Sequence, residues 1–535
     1  MNGRRAHPFA VVTALLAAVL LAGCVGPQAT AGTIEVRIHA DGRSLTQTVA
    51  SGSTVQQALD AADLTLGQLD KVDPPAYTVV TDGTDITITR VTERFEIEQV
   101  VIPFERQTLR NESLPAGETR LLQAGSNGQE EITYRIVEEA GKEISRNPVR
   151  QQVIQPPQPE IVMIGGQESY TPVEIAGRLA YLSNGNAWLM AANTGNRRPL
   201  VVTGDLDGRV FKLSPDGHWL LFTRHTDNDE TNINSLWVVS TTDAQAQPVS
   251  LDVQNIIHFA DWSPKADPLM IAYSTADPSP AAPGWQANND LQLLVLSAEG
   301  RVIKRTTLIG TNAGGEYGWW GTNFAWAPDG VHLAYARADG VGEVDIRNPE
   351  MDSLVGEVPF QTLGDWAWVP GVAWGLDSRT LFLVDHGAPV GIESAAASPV
   401  FDLVALPPSG TAALDLASRT GMFALPSTSP ADVLASGETA YRVAFYQASS
   451  PLDSQDSSYR LVAMDRDGSN RLTLFPAQGD PGLKGDDLQR PPAWSPDGTR
   501  LAVVYGGDLY LVDSVSGQAQ RLTGDAQTSA YDWKP

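Results

Sequence analysis

Stretches in which apolar residues alternate with small or polar ones recur along the C-terminal two-thirds of the 535-residue chain. Clear examples at residues 236–239, 291–296, 501–503 and 508–512 read LWVV, LQLLVL, LAV and DLYLV. Such alternation is typical of half-buried β-strands, because successive side chains of a strand point to opposite faces of the sheet. The pattern therefore predicts a mainly β fold built from many short strands.

A turn phrase accompanies these strands and reads AWSPDGTRLAV at residues 493–503. Variants occur at residues 213–220, 262–268, 326–333, 374–381 and 532–535. Proline, aspartate and glycine suit successive positions of a β-turn, so each copy predicts a hairpin. The tryptophan before the turn recurs at one fixed place, and we expect it to fill the same gap between neighbouring sheets each time.

The spacing of the copies predicts how the strands are grouped. Consecutive copies are 49, 64, 48, 120 and 39 residues apart at the proline position. Periods of roughly 40–60 residues with several strands each are typical of β-propeller blades. Counting two units in the longest interval gives seven blades, with six as the alternative. Residues 177–182 lack a preceding strand and residues 531–535 lack a following one, so we expect these two segments to pair.

This repeat resembles the WD40-like repeat of Tol-type periplasmic propellers. The SPDG phrase, the strand LAV after it and the DGSN turn at residues 467–470 carry the resemblance, which extends over residues 173–535. It implies a rigid platform for contacts with proteins or ligands. It implies no particular activity, because one fold supports many functions.

The first 24 residues have the composition of a targeting segment. Arg4 and Arg5 form a basic start, residues 9–22 are apolar, and LAGC ends at Cys24, the only cysteine of the chain. The apolar run is short for a membrane span. The segment resembles a lipoprotein signal peptide, which implies lipidation of Cys24 and an extracytoplasmic protein anchored to a bacterial membrane; an ordinary cleaved signal peptide is the alternative. Residues 25–32 would form the tether.

Residues 33–92 predict a small α/β module. Residues 34–38 alternate as a strand, Asp41 and Gly42 form a turn, and a capping-box pattern predicts a helix starting at Ser53 with Gln56 three residues on. This order of elements resembles the ubiquitin-like module that precedes G5 domains in bacterial wall proteins.

Residues 93–168 predict an extended β module punctuated by glycines. Their order resembles a G5 domain, whose five glycines would here be Gly117, Gly125, Gly128, Gly141 and Gly165. The resemblance implies cell-surface adhesion and binding of cell-wall glycan or peptidoglycan. A stiff spacer that lifts the propeller off the membrane is the alternative.

The net charge of −26 excludes nucleic acid as a favourable partner, because a strongly acidic surface repels phosphates. The distribution of tryptophan also divides the chain, since all 13 lie at or after Trp188. This division indicates a tryptophan-using repeat domain that follows modules of a different kind.

Candidate chemistry is sparse in this sequence. We find no Gly-x-Ser-x-Gly elbow and no His-Glu-x-x-His motif, so no catalytic residue and no cofactor are predicted. The acidic cluster of Asp227, Asp229 and Glu230 could hold Ca²⁺ through oxygen ligands, but it lacks the full ligand spacing of a calcium loop, so a solvated loop is the preferred interpretation.

An aromatic loop at residues 314–321 is the best candidate for binding. Tyr317, Trp319 and Trp320 lie just before a blade, where aromatic faces could stack on sugars or anchor a partner protein. Trp366 and Trp368 precede another blade in the same way. A tryptophan wedged between blades is the alternative for each.

The sequence therefore predicts a non-enzymatic envelope lipoprotein with three modules. Its G5 module would contact wall glycan, and its propeller face would bind an envelope protein or a glycan. Two alternatives stay open at this point: a propeller hydrolase or lyase acting on envelope carbohydrate or peptide, and a structural scaffold of an envelope complex.

Overall fold

The computed structural model describes residues 32–111, 117–166, 171–226, 232–362, 364–407, 412–430, 432–433 and 439–535. Two compact units divide the chain. The first ends at Gln107 and also includes Leu121–Val162, and the second comprises Thr108–Arg120 and Met163–Pro535. Among the described residues, every helix is too short or too polar to traverse a bilayer.

The first unit begins with a four-stranded sheet and one helix. Its elements are β1 (Thr33–Ala40), β2 (Arg43–Ala50), α1 (Val55–Ala61), β3 (Lys71–Asp73) and β4 (Asp85–Thr89). The sheet order is β2-β1-β4-β3, with β1 antiparallel to β2 and parallel to β4. Val36, Ile38 and Leu59 lie in its buried core. Asp41 and Gly42 both have positive φ angles, so they form the predicted tight turn between β1 and β2.

Helix α1 starts one residue later than the sequence pattern predicted. Its N-cap is Thr54, whose hydroxyl accepts a hydrogen bond from the Gln57 amide, while the Gln57 side chain accepts one from the Thr54 amide at 2.9 Å. The pairs Ser53/Gln56 and Thr54/Gln57 both satisfy the capping-box pattern, which is why the sequence could not separate them.

Six longer strands follow. They are β5 (Val91–Ile102), β6 (Arg106–Asn111), β7 (Thr119–Gln123), β8 (Gly128–Glu139), β9 (Lys142–Gln155) and β10 (Glu160–Gly165). They form two three-stranded sheets, β5-β8-β9 and β6-β10-β7. Strands β5 and β8 pair over their full length without a register shift.

The second unit is dominated by short antiparallel strands. They are β11 (Glu174–Ser183), β12 (Asn186–Val201), β13 (Leu206–Leu213), β14 (Trp219–His225), β15 (Asn234–Ser240), β16 (Val249–Gln254), β17 (Ala260–Trp262), β18 (Met270–Tyr273), β19 (Ala276–Pro278), β20 (Trp285–Ala287), β21 (Leu291–Leu296), β22 (Val302–Ile309), β23 (Asn323–Trp326), β24 (His332–Arg337), β25 (Gly340–Asp345), β26 (Asn348–Gly356), β27 (Val372–Trp374), β28 (Leu381–His386), β29 (Phe401–Leu406), β30 (Leu414–Ala417), β31 (Ser427–Thr428), β32 (Asp432–Val433), β33 (Thr439–Ala440), β34 (Arg442–Ala448), β35 (Tyr459–Asp465), β36 (Leu472–Phe475), β37 (Ala493–Trp494), β38 (Arg500–Tyr505), β39 (Asp508–Asp513), β40 (Ala519–Arg521) and β41 (Thr528–Lys534). Single-turn 3₁₀ helices occupy Gly318–Trp320, Ala395–Ala397, Pro451–Asp453 and Gly485–Leu488.

These strands form successive sheets in chain order. Four-stranded sheets have the orders β13-β14-β15-β16, β17-β18-β21-β22, β23-β24-β25-β26, β27-β28-β29-β30, β31-β34-β35-β36 and β37-β38-β39-β40, and β12-β11-β41 is three-stranded. Repeated four-stranded antiparallel sheets are the architecture of a β-propeller. The predicted mainly β, multi-domain fold class is confirmed, and the blade number of seven stays a prediction.

The last strand pairs with the first strand of this unit. Tyr531 of β41 lies opposite Tyr181 of β11, and Lys534 lies opposite Arg178. This is the pairing that the sequence predicted from its two incomplete repeats. It joins segments separated by about 350 residues into one sheet.

The repeated tryptophans link neighbouring sheets, as the sequence predicted. In four copies of the phrase the indole Nε1 donates to a backbone carbonyl on the first, innermost strand of the preceding sheet, whereas the indole of Trp533 donates to Ala176 within its own sheet. The pairs are Trp262 to Lys212 (3.0 Å), Trp326 to Asp261 (3.4 Å), Trp374 to Ala325 (3.0 Å) and Trp494 to Ser427 (3.4 Å). One hydrogen bond per junction therefore satisfies a carbonyl at the inner edge of the sheets.

The turn phrase is stabilised by its own serine and aspartate. In the copy at residues 495–500, the Ser495 hydroxyl donates to Asp497 and accepts from the Arg500 amide at 2.9 Å. Gly498 takes a φ of 69°, which L-residues with a side chain rarely adopt. The serine, aspartate and glycine of the phrase are thus each required by the backbone of the turn.

Candidate ligand-binding site

A cavity of about 1180 Å³, here called the mouth cavity, opens where several inner strands of the propeller begin. The starts of β13 and β41, the segment before β37, and the loops β14–β15, β18–β21 and β38–β39 supply its lining. Gly208, Gly284, Gly506 and Gly507 leave parts of the wall without side chains. A cavity of this size is large enough for a small organic molecule or a short peptide.

Both signs of charge line the mouth cavity, but its two buried or half-buried acids are already engaged. Asp207 accepts hydrogen bonds from the Asn234 side chain (2.8 Å) and the Arg209 amide (3.0 Å). Asp487 accepts from the backbone amides of Lys484 (3.1 Å) and Gly506 (2.7 Å), and burial raises its pKa. These hydrogen bonds hold the two carboxylates in place, and among the described residues neither forms an ion pair with a cation of the cavity.

Arg490 occupies a special position among these cations. It lines the mouth cavity and also a second cavity of about 440 Å³, which is lined by the C-terminal ends of the inner strands. Its guanidinium donates to the carbonyl oxygen of Gly208. Burial lowers the pKa of Arg490, while Tyr531 and Asp532 act in the opposite direction. Within the described part of the chain, the structure gives Arg490 no ion pair.

Trp285 contributes the aromatic part of the lining. It lies on β20, in an extra hairpin inserted between the second and third strands of its sheet. Its ring meets His258 edge-on at 4.7 Å between centroids and Trp320 edge-on at 6.4 Å. Burial lowers the pKa of His258 to about 4, so this imidazole is neutral at ordinary pH. Its Nε2 is buried and has no hydrogen-bond partner among the described residues.

The predicted aromatic loop therefore lies beside the residue that lines the mouth cavity. Buried Asn289 fixes the loop, because its side chain donates to the Gly318 carbonyl at 2.8 Å and accepts from the Thr322 hydroxyl at 2.7 Å. Trp319 is 36% exposed, whereas Tyr317 and Trp320 are half-buried. Their role in ligand binding stays a prediction.

The second predicted aromatic pair has a different location. Trp368 is 3% exposed, and its indole donates to the Met422 carbonyl at 3.0 Å within a hydrophobic core. Trp366 is half-buried and packs against the same core. The prediction of Trp368 as a surface ligand contact is corrected, because its ring fills the space between sheets. This was the alternative that the sequence left open.

Several predicted residues lie outside the described part of the chain. They are Cys24, the predicted lipidation site, and Asp227, Asp229 and Glu230, the predicted Ca²⁺ ligands. In the segments that are described, no group of three or more histidine, cysteine, aspartate or glutamate side chains could hold a metal ion.

Sequence reasoning did not single out Trp285 and Arg490. A signal for Trp285 was available, since a proline-rich insertion at residues 278–283 separates the second and third strands of this sheet. Arg490 carried no local signal, because its surroundings come from segments far apart in the sequence.

A second candidate surface lies on the β5-β8-β9 sheet of the first unit. One face of this sheet exposes Phe95, Ile97 and Val101, and Phe95 is 61% exposed. Their cross-strand partners on β8 are Arg135, Thr133 and Gln129, so polar and apolar side chains share this face. We call it the Phe95 face.

The opposite face of the same sheet is occupied by ion pairs. Arg94 contacts Glu96 at 2.9 Å, and Arg146 contacts Glu96 at 3.3 Å and Glu98 at 3.2 Å. Arg146 also lies 4.6 Å from the centre of the Tyr134 ring. The charges on this face are therefore largely satisfied within the protein.

Residues 93–167 match the family model of the G5 domain, and residues 36–76 match that of the G5-linked ubiquitin-like domain. The chain carries a G5 domain. The β5-β8-β9 and β6-β10-β7 sheets are its two sheets, and α1 with the β2-β1-β4-β3 sheet forms the ubiquitin-like module. A third model, the N-terminal region of dipeptidyl peptidase IV, matches residues 478–532 of the propeller.

Individual relatives share parts of the chain. The resuscitation-promoting factor RpfB of Mycolicibacterium smegmatis is 27% identical over 183 residues, which are 33% of this chain and 49% of that protein. The chain thus spans about half the length of this relative.

Solved structures match the modules separately. A G5 structure, HP0197-G5, is 26% identical and covers 14% of this chain and 99% of its own, with a TM-score of 0.14. A TolB-type protein from Agrobacterium tumefaciens is 19% identical and covers 61% of this chain and 96% of its own, with a TM-score of 0.34.

Proposed function

We propose that this chain is an extracytoplasmic protein of the bacterial envelope, anchored to membrane lipid through Cys24. Its G5 domain binds cell-wall glycan, and its propeller presents the aromatic loop to an envelope partner. The G5 match over residues 93–167 and the partial similarity to a resuscitation-promoting factor support an envelope location. The LAGC sequence ending at Cys24 supports the anchor.

The observation that carries the proposal is the composition of the Phe95 face. An exposed aromatic ring offers a flat apolar surface to the C–H face of a sugar. Gln99, Gln129 and Glu131 lie along the same face and hydrogen-bond to one another at 2.9–3.0 Å. Planar amide and carboxylate groups of this kind can exchange those bonds for bonds to sugar hydroxyls.

The contrast between the two faces of the sheet indicates which one meets glycan. A ligand on the ion-paired face would have to separate Arg94, Glu96 and Arg146, whose charge-assisted bonds are the stronger kind. The Phe95 face also carries an ion pair, between Arg135 and Glu93. Further along this face, however, Gln99, Gln129 and Glu131 are joined only by neutral or singly charged hydrogen bonds and lie beside exposed apolar carbon. The Phe95 face is therefore the less costly surface to cover.

Co-sedimentation with purified peptidoglycan sacculi tests this proposal on the lipid-free chain starting after Cys24. We expect the wild-type chain to sediment and Phe95→Ala to bind about tenfold more weakly, the usual scale for truncating a central aromatic contact. Tyr77→Ala is the matched control, because Tyr77 is an 82% exposed aromatic outside the G5 sheets. Equal binding of wild type and Phe95→Ala would contradict the assignment of this face.

The same assay separates the alternative functions. Release of soluble sugar or peptide from the sacculi would favour a hydrolase or lyase. Absence of sedimentation together with recovery of one stoichiometric envelope protein would favour a scaffold.

Cys24→Ala is expected to move the full-length chain from the membrane fraction to the soluble fraction and to abolish labelling by a fatty-acid probe.

A further inference from the structure

We propose that the mouth cavity of the propeller binds a short peptide by its free C-terminal carboxylate, which the guanidinium of Arg490 receives. This inference goes beyond the proposed function and does not depend on glycan binding by the G5 domain. It rests on four features: the position of Arg490, its incomplete neutralisation, the engagement of the nearby acids, and the shape and composition of the cavity.

Arg490 lies where an incoming chain end would stop. Because it lines both the mouth cavity and the cavity at the far ends of the inner strands, it stands between the two. Its guanidinium donates one hydrogen bond to the Gly208 carbonyl. A guanidinium has five N–H donors, so most of its donors are available to a ligand.

Among the described residues, Arg490 has no carboxylate close enough to form an ion pair. In the described residues, no carboxylate comes within 4.0 Å of its guanidinium nitrogens, although Asp207, Asp261 and Asp532 influence it at longer range. A cation held among protein atoms without a partner is unfavourable, and an entering carboxylate would relieve this. Planar carboxylate and planar guanidinium match in a two-bond geometry.

The charges that line the cavity oppose an anion less than the acidic surface of the whole chain does. Arg209 and Lys484 also line the cavity, and the described residues give neither of them an ion pair. Asp207 and Asp487 accept hydrogen bonds from neighbouring protein groups and so are held in place. The lining carries three cations, Arg209, Lys484 and Arg490, beside three acids, Asp207, Asp486 and Asp487, so it is close to neutral although the whole chain has a charge of −26. An anion is therefore repelled less here than by the acidic surface as a whole.

The cavity fits an extended chain better than an isolated anion. Its volume of about 1180 Å³ far exceeds that of a single phosphate or carboxylate ion. Phosphate sites usually rely on several free backbone N–H groups, whereas the Gly506 amide here is already bonded to Asp487. Trp285 and Pro283 supply apolar lining for the remainder of a peptide.

Isothermal titration calorimetry on the lipid-free full chain tests the inference with three probes: N-acetyl-trialanine with a free carboxylate, the same peptide as its C-terminal amide, and inorganic phosphate. We expect the acid to bind with a dissociation constant of about 1 mM or tighter and the amide to bind at least tenfold more weakly. Equal binding of acid and amide, or no binding of the acid, overturns the proposal. Binding of phosphate as tight as that of the acid replaces it with a site for free anions.

Variants connect the binding to Arg490. We expect Arg490→Gln to weaken binding of the acid at least tenfold and Arg490→Lys to restore part of it, since lysine keeps the charge and loses the two-bond geometry. Arg301→Gln is the control, because Arg301 is an exposed arginine in the β21–β22 turn. If Arg490→Gln does not fold, Arg209→Gln is expected to weaken binding by several-fold. Unchanged binding in a folded Arg490→Gln overturns the role of this residue.

Discussion

The β5-β8-β9 sheet of the G5 domain and the sheets of the propeller are both antiparallel, yet they differ in what holds them. Of the 14 residues of β9, all but one are exposed. By contrast, Leu461, Val462, Ala463 and Met464 of β35 are all at most 1% exposed, so both faces of that strand are buried. The first sheet is held by backbone pairing and ion pairs, and the second by packing on both sides.

This difference decides where each region can bind. A sheet without a covering layer offers a whole face to a ligand, as the Phe95 face does. Sheets buried on both sides leave only their ends and connecting loops, which is where the mouth cavity and the aromatic loop lie. Tryptophan fluorescence reports the propeller alone, because all 13 tryptophans lie at or after Trp188.

The largest effect is expected from a cavity in a propeller sheet. Phe222 of β14 is fully buried, so Phe222→Ala should lower the free energy of unfolding of the propeller by about 3–5 kcal/mol. Phe95→Ala on the exposed sheet should change stability by less than about 0.5 kcal/mol. Urea titrations measure the two free energies of unfolding. Tryptophan fluorescence follows the unfolding of Phe222→Ala, and circular dichroism follows that of Phe95→Ala. Similar losses at the two sites would remove the distinction.

A pH-dependent effect follows from Glu357, which is 6% exposed next to Asp385. Burial, aided by the negative charge of Asp385, raises the pKa of Glu357 to about 8. Folding therefore favours its protonated form, and this stabilisation is complete below pH 4.5 and is lost as the pH rises towards 8.

Glu357→Gln keeps a neutral side chain at every pH. Relative to wild type, we expect it to stabilise the propeller by roughly 2–4 kcal/mol at pH 8 and to have little effect at pH 4.5. Urea titrations at both pH values, read by tryptophan fluorescence, provide the measurement. If the difference in free energy of unfolding between Glu357→Gln and wild type is the same at pH 4.5 and at pH 8, the raised pKa of Glu357 is contradicted.

In the exposed β5-β8-β9 sheet, we expect stability to be lost when a substitution disturbs the backbone rather than when it removes a side chain. A Cβ atom at Gly128 would lie 2.6 Å from the Gln155 carbonyl oxygen and 2.5 Å from the Pro157 nitrogen, and these are backbone atoms that cannot rotate away. Gly128→Ala is expected to cost about 1–3 kcal/mol. Gly310→Ala is the control, since no heavy atom lies within 4 Å of its added Cβ. Thermal unfolding followed by circular dichroism compares them.

The smallest effect concerns one junction between sheets. Trp262→Phe keeps most of the buried ring but leaves the Lys212 carbonyl without its indole donor, so a loss of about 1 kcal/mol is expected. Trp319→Phe, at an exposed ring, should be neutral within about 0.5 kcal/mol. If Trp319→Phe lowers the free energy of unfolding as much as Trp262→Phe does, the hydrogen bond from Trp262 to the Lys212 carbonyl does not account for the effect.

The features that the sequence predicted well are local. The turn phrase at residues 495–500 specifies its own hydrogen bonds, and Asp41 with Gly42 specifies a turn, because the groups involved are within a few residues of one another. The position of the tryptophan between sheets followed from its fixed place before the turn. The helix start was off by one residue because two adjacent capping pairs were equivalent.

The features that it missed depend on long-range placement. Trp368 and Trp319 both precede a blade in the sequence, and only the packing around Met422 assigns one of them to the core. Arg490 meets Gly208 across 282 residues, so no window of sequence contains both. The mouth cavity is assembled entirely from such distant segments, and that is why its chemistry could not be predicted.

The strand pairing between β11 and β41 bears on how the protein is made. Residues 174–183 are synthesised long before residues 528–534, so the first propeller sheet lacks its β41 strand until those later residues have been made. Contacts this distant in sequence slow folding, because a long loop must close before they form. During that interval the side of β11 that later pairs with β41 exposes unpaired backbone groups, which are a template for pairing with another chain.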